Sequence, residues 1–501
     1  MKTRLILGPP GTGKTTRLLE ILTDEINNDV HPSAIAFVSF TRAARDEGVN
    51  RVKQQLAVEP WEIPFFKTLH QICWKANNLR QADLMRNENF KELGKEIGEV
   101  FTGRSFDLED GAAKSGVQRG DMLRFIDELS RNRQEPIEKT WRAVEPDEVI
   151  EADCMRYQES LRKYKERRAL WDFPEMLERF ITERKSLPIE VAIIDEAQDL
   201  SGLQWDVCRH AFKNAERIYI AGDDDQAIYR WAGADVQLFL DLKAEQEQLS
   251  KSWRLPKPIF DVSQKIVKQI SKRFEKTWSP REGEGKVEYL SELSEINFEE
   301  GTWYILARNR IFLRDAERYV ASQGVPYIRP NGQPSVSEDH VRIIFDWEKL
   351  RKDEELTSDR IQMIYGAMKN SVQDNYRDFP DGSYGRKYSL ADLMADYGLR
   401  TSKPWYEALD AIHIQTRLHY REILSRGEKL TGTPRVRLST IHAVKGGEAD
   451  HVVLLTDMAR RTYDEFLKDS DDEHRVWYVA VTRARESLFF IEGRSTRQYE
   501  I

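Results

Sequence analysis

The feature that most constrains this chain is residues 8–15, which read Gly-Pro-Pro-Gly-Thr-Gly-Lys-Thr. They match the pattern G-x-x-x-x-G-K-[ST], in which glycines let backbone N–H groups surround a phosphate. An apolar run at residues 3–8 precedes the pattern, and a stretch rich in leucine and isoleucine, residues 18–22, follows it. This order indicates a buried strand, a phosphate-binding loop and a helix whose N-terminus faces the phosphate. The start of the chain therefore predicts an α/β sheet that binds a nucleotide.

The side chains of this loop predict how the nucleotide is held. Lys14 is expected to reach the β and γ phosphates, and the Thr15 hydroxyl is expected to ligate Mg²⁺. A chance glycine turn is the alternative, and the strand before the loop and the helix after it argue against that alternative. The predicted nucleotide-binding residues of this segment are Gly8, Pro9, Pro10, Gly11, Thr12, Gly13, Lys14, Thr15 and Thr16.

A pair of carboxylates, Asp195 and Glu196, follows the apolar run at residues 191–194. Next to a phosphate-binding loop, Asp195 stands where it would hold Mg²⁺, directly or through water. Glu196 stands where a base could orient the attacking water. A solvated strand end would explain an isolated Asp-Glu pair. Together with the loop, however, the pair predicts a nucleoside triphosphatase.

A third strand end, after residues 218–222, carries Asp223, Asp224, Asp225 and Gln226. Three successive carboxylates are typical of a solvated turn. The carboxyl ends of parallel strands form the ligand crevice of an open α/β sheet, so this segment is expected to meet the first two. There Gln226 could sense the γ-phosphate, and Trp231 follows a few residues later.

Length and composition limit the class of protein. At roughly 150 residues per domain, 501 residues suggest three or four domains. Hydrophobic residues make up 40% and charged residues 32%, no apolar run approaches the roughly 20 residues of a membrane span, and the start leaves no room for a signal peptide. We therefore expect a soluble, cytoplasmic protein without a membrane partner. The three cysteines are widely spaced and predict neither disulfides nor a zinc site. A net charge of −8 argues against a protein that coats nucleic acid through bulk electrostatics, but it does not exclude a local basic groove.

The remaining pattern predicts a second α/β core and two insertions. Residues 75–185 are charged and helical in character, with little strand signal. Strand-like runs return at residues 303–307, 436–441, 451–455 and 487–491, and residues 335–432 interrupt them. The stretch from Ser279 to Gly285 is rich in Pro, Gly and Glu and predicts a loop.

Five further segments, taken with the three strand ends, resemble motifs of the UvrD/Rep/PcrA family of superfamily 1 DNA helicases. Residues 37–44 (Phe-Val-Ser-Phe-Thr-Arg-Ala-Ala) resemble motif Ia and residues 67–71 (Lys-Thr-Leu-His-Gln) resemble motif Ib. Residues 252–254 (Ser-Trp-Arg) resemble motif IV, residues 439–448 resemble motif V, and residues 479–485 resemble motif VI. The resemblance extends, in order, over nearly the whole chain.

The resemblance implies an α/β fold with two RecA-like P-loop NTPase cores, each having a parallel sheet and a mostly helical insertion. The first core would comprise residues 1–74 and 186–248, with its insertion at 75–185. The second would comprise residues 249–334 and 433–501, with a reduced insertion at 335–432. ATP and Mg²⁺ would bind between the cores.

The resemblance also assigns residues to the site. Glu196, Gln226, Arg254 and Arg483 would be catalytic, with Arg483 in the arginine-finger position; Thr15 and Asp195 would hold the metal; Trp253 and Glu448 would join the nucleotide-binding residues. Stacking on aromatic side chains is tolerant of base sequence, and Trp231 and Phe40 are the candidates for it. A packed-core position remains an alternative for Phe40, as does a structural hydrogen bond for the histidines. The predicted DNA-binding residues are Phe40, Thr41, Thr68, His70, Trp231, Thr440 and His442.

The function that the resemblance implies is ATP hydrolysis coupled to 3′–5′ movement on single-stranded DNA and to strand separation. The substrates would be single-stranded DNA and its junctions with duplex DNA. The protein partners would be replication or repair proteins, none of which the sequence identifies. Two alternatives stay open: a translocase that displaces proteins without unwinding, and a nucleotide-switched adaptor or loader. The chain departs from the family pattern at Leu69, Ala232 and Trp253, and its motif Ia is one residue shorter. Its second insertion is also short. We expect neither the glutamine segment that precedes the loop in many relatives nor a nuclease-like extension after Ile491.

Overall fold

The computed structural model describes residues 2–39, 62–103, 118–376 and 386–501 of the chain. Two six-stranded sheets organise these residues, and every pair of neighbouring strands in both sheets is parallel. The α/β fold class with two parallel-sheet cores is therefore confirmed. Phe40 and Thr41, two of the predicted DNA-binding residues, lie outside the described residues.

The first sheet brings the three predicted strand ends together. Its spatial order is β3-β2-β4-β5-β1-β6, so β5 lies between β1 and β4. The segment after β5 consequently lies between the phosphate-binding loop after β1 and the carboxylate pair at the end of β4. The strands are β1 Lys2–Leu7, β2 Ile35–Ser39, β3 Phe65–Lys67, β4 Val191–Asp195, β5 Arg217–Gly222 and β6 Glu245–Gln248.

A short pair of strands, β7 Lys251–Pro256 and β8 Ser279–Arg281, follows the first sheet. The prediction that Ser279 to Gly285 is entirely a loop was wrong for its first three residues. Pro280 does not prevent this pairing because proline is tolerated in edge strands. Strand β6, with sequence Glu-Gln-Glu-Gln, was also not predicted; it is a mostly exposed edge strand and carries no apolar pattern.

The second sheet has the spatial order β11-β14-β10-β15-β16-β9. Four of its strands coincide with the apolar runs found in the sequence; β9 and β11 had no clear signal. Each sheet has an apolar cluster on each of its two faces, and successive residues of a strand point to the two clusters in turn. The strands are β9 Lys286–Leu290, β10 Trp303–Ala307, β11 Tyr327–Ile328, β14 Val436–Thr440, β15 Ala449–Leu455 and β16 Ala484–Ile491.

Helices cover both sheets. α1 follows the phosphate-binding loop, and α8 and α9 belong to the first sheet's layer. The helices that accompany the second sheet are α10, α11, α17 and α18. Their bounds are α1 Lys14–Asn27, α8 Gly202–Ala211, α9 Val236–Leu240, α10 Lys257–Val267, α11 Leu313–Ser322, α17 Arg460–Lys468 and α18 Asp471–Val481.

Two further groups of helices lie between strands of the sheets. Between β3 and β4 the described residues form α2 Leu69–Ala76, α3 Asn87–Ile97, α4 Arg119–Arg133, α5 Ile137–Val144, α6 Glu151–Arg168 and α7 Phe173–Thr182. Between β11 and β14 lie α12 Glu338–Leu350, α13 Ser358–Gly366, α14 Leu390–Asp396, α15 Trp405–Ala408 and α16 Ile414–Ser425, with the antiparallel pair β12 Leu356–Thr357 and β13 Lys387–Tyr388.

Each helical group has a hydrophobic cluster of its own, although α2 and α7 of the first group pack in a cluster of the first sheet. Leu93, Ile126 and Tyr157 lie at the centre of the first, and Trp347 and Ile361 at the centre of the second. Within the described ranges, no helix combines the length and the apolar character needed to cross a membrane.

Candidate active site

The phosphate-binding loop runs from the end of β1 to the start of α1. Gly13 precedes the helix with a φ of 85°, and Gly11 has a φ of 70°, a region that residues with a side chain rarely adopt. A Cβ on Gly11 would lie 2.4 Å from the Cβ of Arg254, so β7 passes directly over the loop. The Lys14 ammonium donates to the Gly8 carbonyl at 2.9 Å and lies 3.8 Å from a Glu196 carboxylate oxygen.

A cleft of about 1190 Å³ opens beside this loop and is bounded by both sheets. Every predicted nucleotide-binding or catalytic residue lines it except Gly8, whose carbonyl accepts from Lys14. The structure therefore brings together residues that are more than 450 positions apart in the chain. The cleft is lined by Pro9, Pro10, Gly11, Thr12, Gly13, Lys14, Thr15, Thr16, Asp195, Glu196, Gln226, Trp253, Arg254, Glu448 and Arg483, among others.

Asp195 ends β4 almost completely buried, with its carboxylate facing the loop. The Thr15 hydroxyl donates to Asp195 Oδ2 at 3.3 Å. Burial, with the neighbouring Glu196 charge as a further cause, raises the pKa of Asp195 to about 7. A cation placed between the Thr15 hydroxyl and this carboxylate would favour its ionised form.

Glu196 adopts a left-handed backbone conformation, with a φ of 53°. Its N–H donates to Asp195 Oδ1 at 2.9 Å, which turns the chain sharply at the end of the strand. Burial alone would raise the pKa of Glu196. The Lys14 and Lys445 ammonium groups outweigh burial, and the pKa of Glu196 is held below its usual range. The carboxylate is therefore anionic at neutral pH.

Gln198 connects the ends of β4 and β5 and was not predicted from the sequence. Its Oε1 accepts the backbone N–H of Asp223 at 3.0 Å, and its Nε2 donates to Glu196 Oε2 at 2.5 Å. The amide is fully buried between the two loops. Its position directly after the Asp-Glu pair was the available signal, but the sequence does not show which loop it contacts.

Gln226 lies between the loop after β5 and the second core. Its Nε2 donates to Asp223 Oδ2 at 2.7 Å, and its Oε1 accepts from Arg483 Nη2 at 2.9 Å. The solvated turn considered for residues 223–225 is wrong, because all three carboxylates are completely buried.

The two predicted arginines reach the cleft from the second core. Arg254 in β7 donates to Glu448 Oε2 at 2.5 Å and to the Thr482 carbonyl at 3.3 Å. Arg483, just after α18, donates to the carbonyls of Val479 and Gly447, each at 3.0 Å, and to Gln226. Burial, and secondarily the charge of Arg254, lower the pKa of Arg483 to about 9. A phosphate in the cleft would supply the anion that this buried guanidinium lacks.

Trp253 presents an open aromatic face at the mouth of the cleft. Its side chain is 69% exposed, and its backbone N–H donates to the Gly11 carbonyl at 2.8 Å. The Lys251 ammonium lies 4.9 Å from the centre of the ring. The indole is therefore held beside the loop with a face free for a planar base.

Lys445, which lies within the predicted motif V, links the second core to the first. Its ammonium contacts the Asp199 carboxylate and the backbone carbonyl of Gln226, with distances of 2.5 to 2.6 Å. The segment that resembles motif V contains Lys445, but the sequence gave no indication that its ammonium points to the first core.

Trp231 lines a second cavity, of about 390 Å³, together with His442 and side chains from α4, α17 and α18. The ring is half-buried, and Tyr229 packs against it edge-on with ring centres 6.3 Å apart. The Trp231 Nε1 is buried and has no hydrogen-bond partner among the described residues. Burial lowers the pKa of His442 well below its usual value, so the imidazole is neutral.

The remaining predicted DNA-binding residues do not converge on that cavity. The Thr68 hydroxyl accepts the Gln71 N–H and caps α2, a structural role. His70 lines a separate cavity of about 140 Å³ and packs edge-on against Phe173. Burial lowers the pKa of His70 to about 4. Thr440 ends β14 half-buried.

Family models match two parts of the chain that contribute to the cleft, and Trp253 and Arg254 lie between the two matches. The UvrD/REP helicase N-terminal domain matches residues 1–247, and the UvrD-like helicase C-terminal domain matches residues 348–495. The first match contains the phosphate-binding loop, Glu196 and Gln226, and the second contains Glu448 and Arg483.

Individual relatives are more distant. The ATP-dependent DNA helicase PcrA of Staphylococcus epidermidis strain ATCC 35984 is 24% identical over an alignment of 356 positions, which covers 67% of this chain and 47% of that protein. This chain thus spans about half the length of that relative. PcrA of Staphylococcus aureus strain Mu50 is 22% identical over an alignment of 613 positions, which covers 98% of this chain and 81% of that protein. A solved arterivirus nonstructural protein 10 (helicase) with DNA aligns with a TM-score of 0.35 and 12% identity, over 99% of this chain and 62% of that one. The two family models together cover most of the chain, which therefore belongs to the UvrD/Rep/PcrA family of superfamily 1 helicases.

Proposed function

We propose that this protein is an ATP-dependent DNA helicase that moves along single-stranded DNA, in the 3′–5′ direction of the family it resembles. The observation that carries the proposal is the contact of Arg483 with Gln226 across the cleft, at 2.9 Å. It joins the two cores at the position expected for the γ-phosphate. Hydrolysis there would change a contact between cores, and relative movement of two cores is what a motor on DNA needs.

The residues of the cleft divide the hydrolysis reaction among them. Lys14 would exchange its bond to the Gly8 carbonyl for the β and γ phosphates, and Trp253 would stack on the base. Glu196, anionic at neutral pH, would accept a hydrogen bond from the attacking water and orient it. Arg254 and Arg483 would stabilise the charge that develops on the transferred phosphoryl group.

Thr15 and Asp195 fit the Mg²⁺ that such a reaction uses. A hydroxyl and a carboxylate are the hard oxygen donors that Mg²⁺ prefers, and they lie 3.3 Å apart at the bottom of the cleft. When bound there, the ion would neutralise negative charge on the phosphates.

The Trp231 cavity supports single-stranded DNA as the substrate. A half-buried indole with an unpaired N–H offers a stacking surface and one donor, neither of which selects a base sequence. Trp231 lies five positions after Gln226, so one short segment connects the nucleotide cleft to the proposed DNA surface. His442 would contact DNA only as a neutral donor or acceptor.

A direct test measures ATP turnover with and without oligo-dT, and strand separation on duplexes that carry either a 3′ or a 5′ single-stranded tail. We expect turnover to rise steeply with oligo-dT, and unwinding to require the 3′ tail. A rate of ATP turnover that does not change with oligo-dT would favour the adaptor or loader alternative. Unwinding only from a 5′ tail would overturn the proposed polarity.

One observation keeps a translocase without unwinding activity as the second candidate. The group of helices between β11 and β14 is small, comprising five helices in its described part, three of them shorter than ten residues. A small group of helices would offer limited surface for contacts with duplex DNA. Displacement of a protein from single-stranded DNA without separation of either tailed duplex would favour this candidate.

A further inference from the structure

A buried group of charges joins the two cores behind Gln226. Asp223, Asp224 and Asp225 are each fully buried, and the ammonium of Lys276 contacts all three carboxylates, at 2.9 Å for Asp223 and Asp225. Arg273 adds a two-pronged bond to Asp225, at 2.7 and 2.8 Å. The Lys276 side chain is completely shielded from solvent. Three consecutive carboxylates are tolerated in the interior because these two cations compensate them.

The cations of this group come from the second core. Lys276 and Arg273 lie between α10 and β8, and Trp278, two residues after Lys276, packs in the same apolar cluster as α10 and α18. The carboxylates follow β5 of the first sheet. Lys276 is therefore a point at which the second core holds a loop of the first.

Asp223 connects this cation to the reaction cleft. Lys276 contacts its Oδ1, and Gln226 Nε2 donates to its Oδ2 at 2.7 Å. The three carboxylates raise the pKa of Lys276 although burial acts against this, and despite burial the positive charge holds the pKa of Asp223 below its usual value. Asp223 is thus an anion that can only accept hydrogen bonds.

An acceptor at this position determines which way the Gln226 amide points. Because Asp223 accepts from Gln226, the NH₂ group of Gln226 must face Asp223 and its carbonyl oxygen must face the cleft. Arg483, which can only donate, then meets an acceptor at 2.9 Å. A donor in place of the Asp223 carboxylate would reverse the amide and present an NH₂ group to the guanidinium.

We propose that Lys276 is a positioning residue for the ATPase reaction, acting through Asp223 to fix the Gln226 amide with its oxygen toward Arg483. The inference rests on the proposed ATPase function of the cleft. It adds that a residue outside the cleft, from the opposite core, sets the contact on which hydrolysis depends.

The test is a double-mutant cycle on oligo-dT-stimulated ATP hydrolysis by the full chain, with Lys276→Met, Gln226→Ala and both changes combined. We expect Lys276→Met to lower kcat by about 10- to 100-fold while KM for ATP changes little. In the Gln226→Ala background, Lys276→Met should not lower kcat further, because the side chain through which Lys276 acts is already absent. Losses that multiply in the double variant would overturn the proposal and make Lys276 a structural residue. A wild-type protein without DNA-stimulated turnover would instead overturn the proposed function, and this inference with it.

A matched pair of milder variants keeps the test decisive if Lys276→Met does not fold. Asp223→Asn and Asp224→Asn each remove one charge that Lys276 contacts, but only Asp223 touches Gln226. In Asp223→Asn, Lys276 would hold the oxygen of the new side-chain amide and leave its NH₂ group toward Gln226, so kcat should fall by about tenfold or more. Asp224→Asn should retain kcat within about threefold, with thermal melting as the check on folding. Equal losses in the two variants would overturn the proposal.

Discussion

Glu196 combines a strained backbone with a defined charge state. A non-glycine residue with a φ of 53° is uncommon, and such conformations persist where surrounding contacts enforce them. Here the Asp195 carboxylate accepts the Glu196 N–H, and Gln198 holds the Glu196 side chain. The backbone directs the carboxylate into the cleft, and the nearby ammonium groups keep it anionic.

Replacement of Glu196 by glutamine tests this role without changing the shape of the side chain. We expect ATP turnover to fall by about 10²- to 10⁴-fold, because an amide is a poor base for the attacking water. Glu196→Gln should still bind a fluorescent ATP analogue. Lys14→Ala, by contrast, should abolish hydrolysis because it removes the contact with the phosphates. Steady-state hydrolysis and equilibrium binding on the same preparations provide the measurement. Weaker binding with unchanged maximal turnover would assign Glu196 a purely structural role.

Arg483 is held by four acceptors: two backbone carbonyls, the Thr482 hydroxyl and the Gln226 side chain. Arg483→Ala should lower the maximal ATPase rate by about 10³- to 10⁵-fold if chemistry limits the wild-type rate. Arg483→Lys is the matched control: it keeps the charge but lacks the forked donors, and should recover little of the rate. Initial rates over a range of ATP concentrations separate the effects. A raised KM with a normal maximal rate would show that Arg483 binds only the ground state.

At the scale of elements, one segment after β5 serves both the cleft and the proposed DNA surface. It begins with the buried carboxylates, passes Gln226 and reaches the half-buried Trp231 within a few residues. Arg230 within this segment pairs with Asp469 and Asp472 of the second core, at 3.0 and 2.9 Å. The segment is therefore fixed to both cores, and a shift of Gln226 would be transmitted to Trp231 over a short distance.

Removal of the Trp231 ring should separate DNA binding from ATP hydrolysis. Trp231→Ala is expected to weaken single-stranded DNA binding about 5- to 150-fold, the equivalent of roughly 1–3 kcal/mol of stacking. ATPase without DNA should change little, whereas unwinding should fall more than DNA-stimulated ATPase at saturating DNA. Trp141→Ala is the control, since that half-buried indole donates to the Val149 carbonyl within the first helical insertion. Intact DNA affinity and unwinding in a well-folded Trp231→Ala protein would make Trp231 a packing residue.

The same segment shows how far the sequence predicts this site. Asp195 and Gln226 were predictable because they follow apolar strands, and parallel strands bring their carboxyl ends to one edge. The burial of residues 223–225 was not predictable: Arg273 and Lys276 lie some fifty positions later, and no local pattern connects them to the carboxylates. Thr68 shows another limit of the sequence, since a hydroxyl before a helix can cap the helix as readily as it binds a phosphate, and its contact with DNA stays a prediction.

At the scale of the whole molecule, the cleft depends on both sheets. Lys14, Thr15 and Asp195 come from the first core, and Trp253, Arg254 and Arg483 come from the second. Cross-core contacts in the structure, such as Lys445 with Asp199 and Lys276 with Asp223, already hold the two cores together. A nucleotide would add a further connection, because the phosphates lie between cations from both sides.

This connection predicts how nucleotide binding affects unfolding. A non-hydrolysable ATP analogue with Mg²⁺, at about 100 times its Kd, should stabilise the folded protein by about 2.7 kcal/mol, and the second core should share the gain because it contributes to the site. Differential scanning calorimetry should then show a higher melting temperature and a narrower transition. The Arg254→Ala variant is compared at the same fractional saturation with nucleotide. Its first core should still gain stability from contacts with the phosphates. The melting temperature of its second core should no longer rise. An equal shift of the whole transition in wild type and Arg254→Ala would mean that nucleotide binds the first core alone, and the proposed bridging role of the second core in the cleft would be wrong.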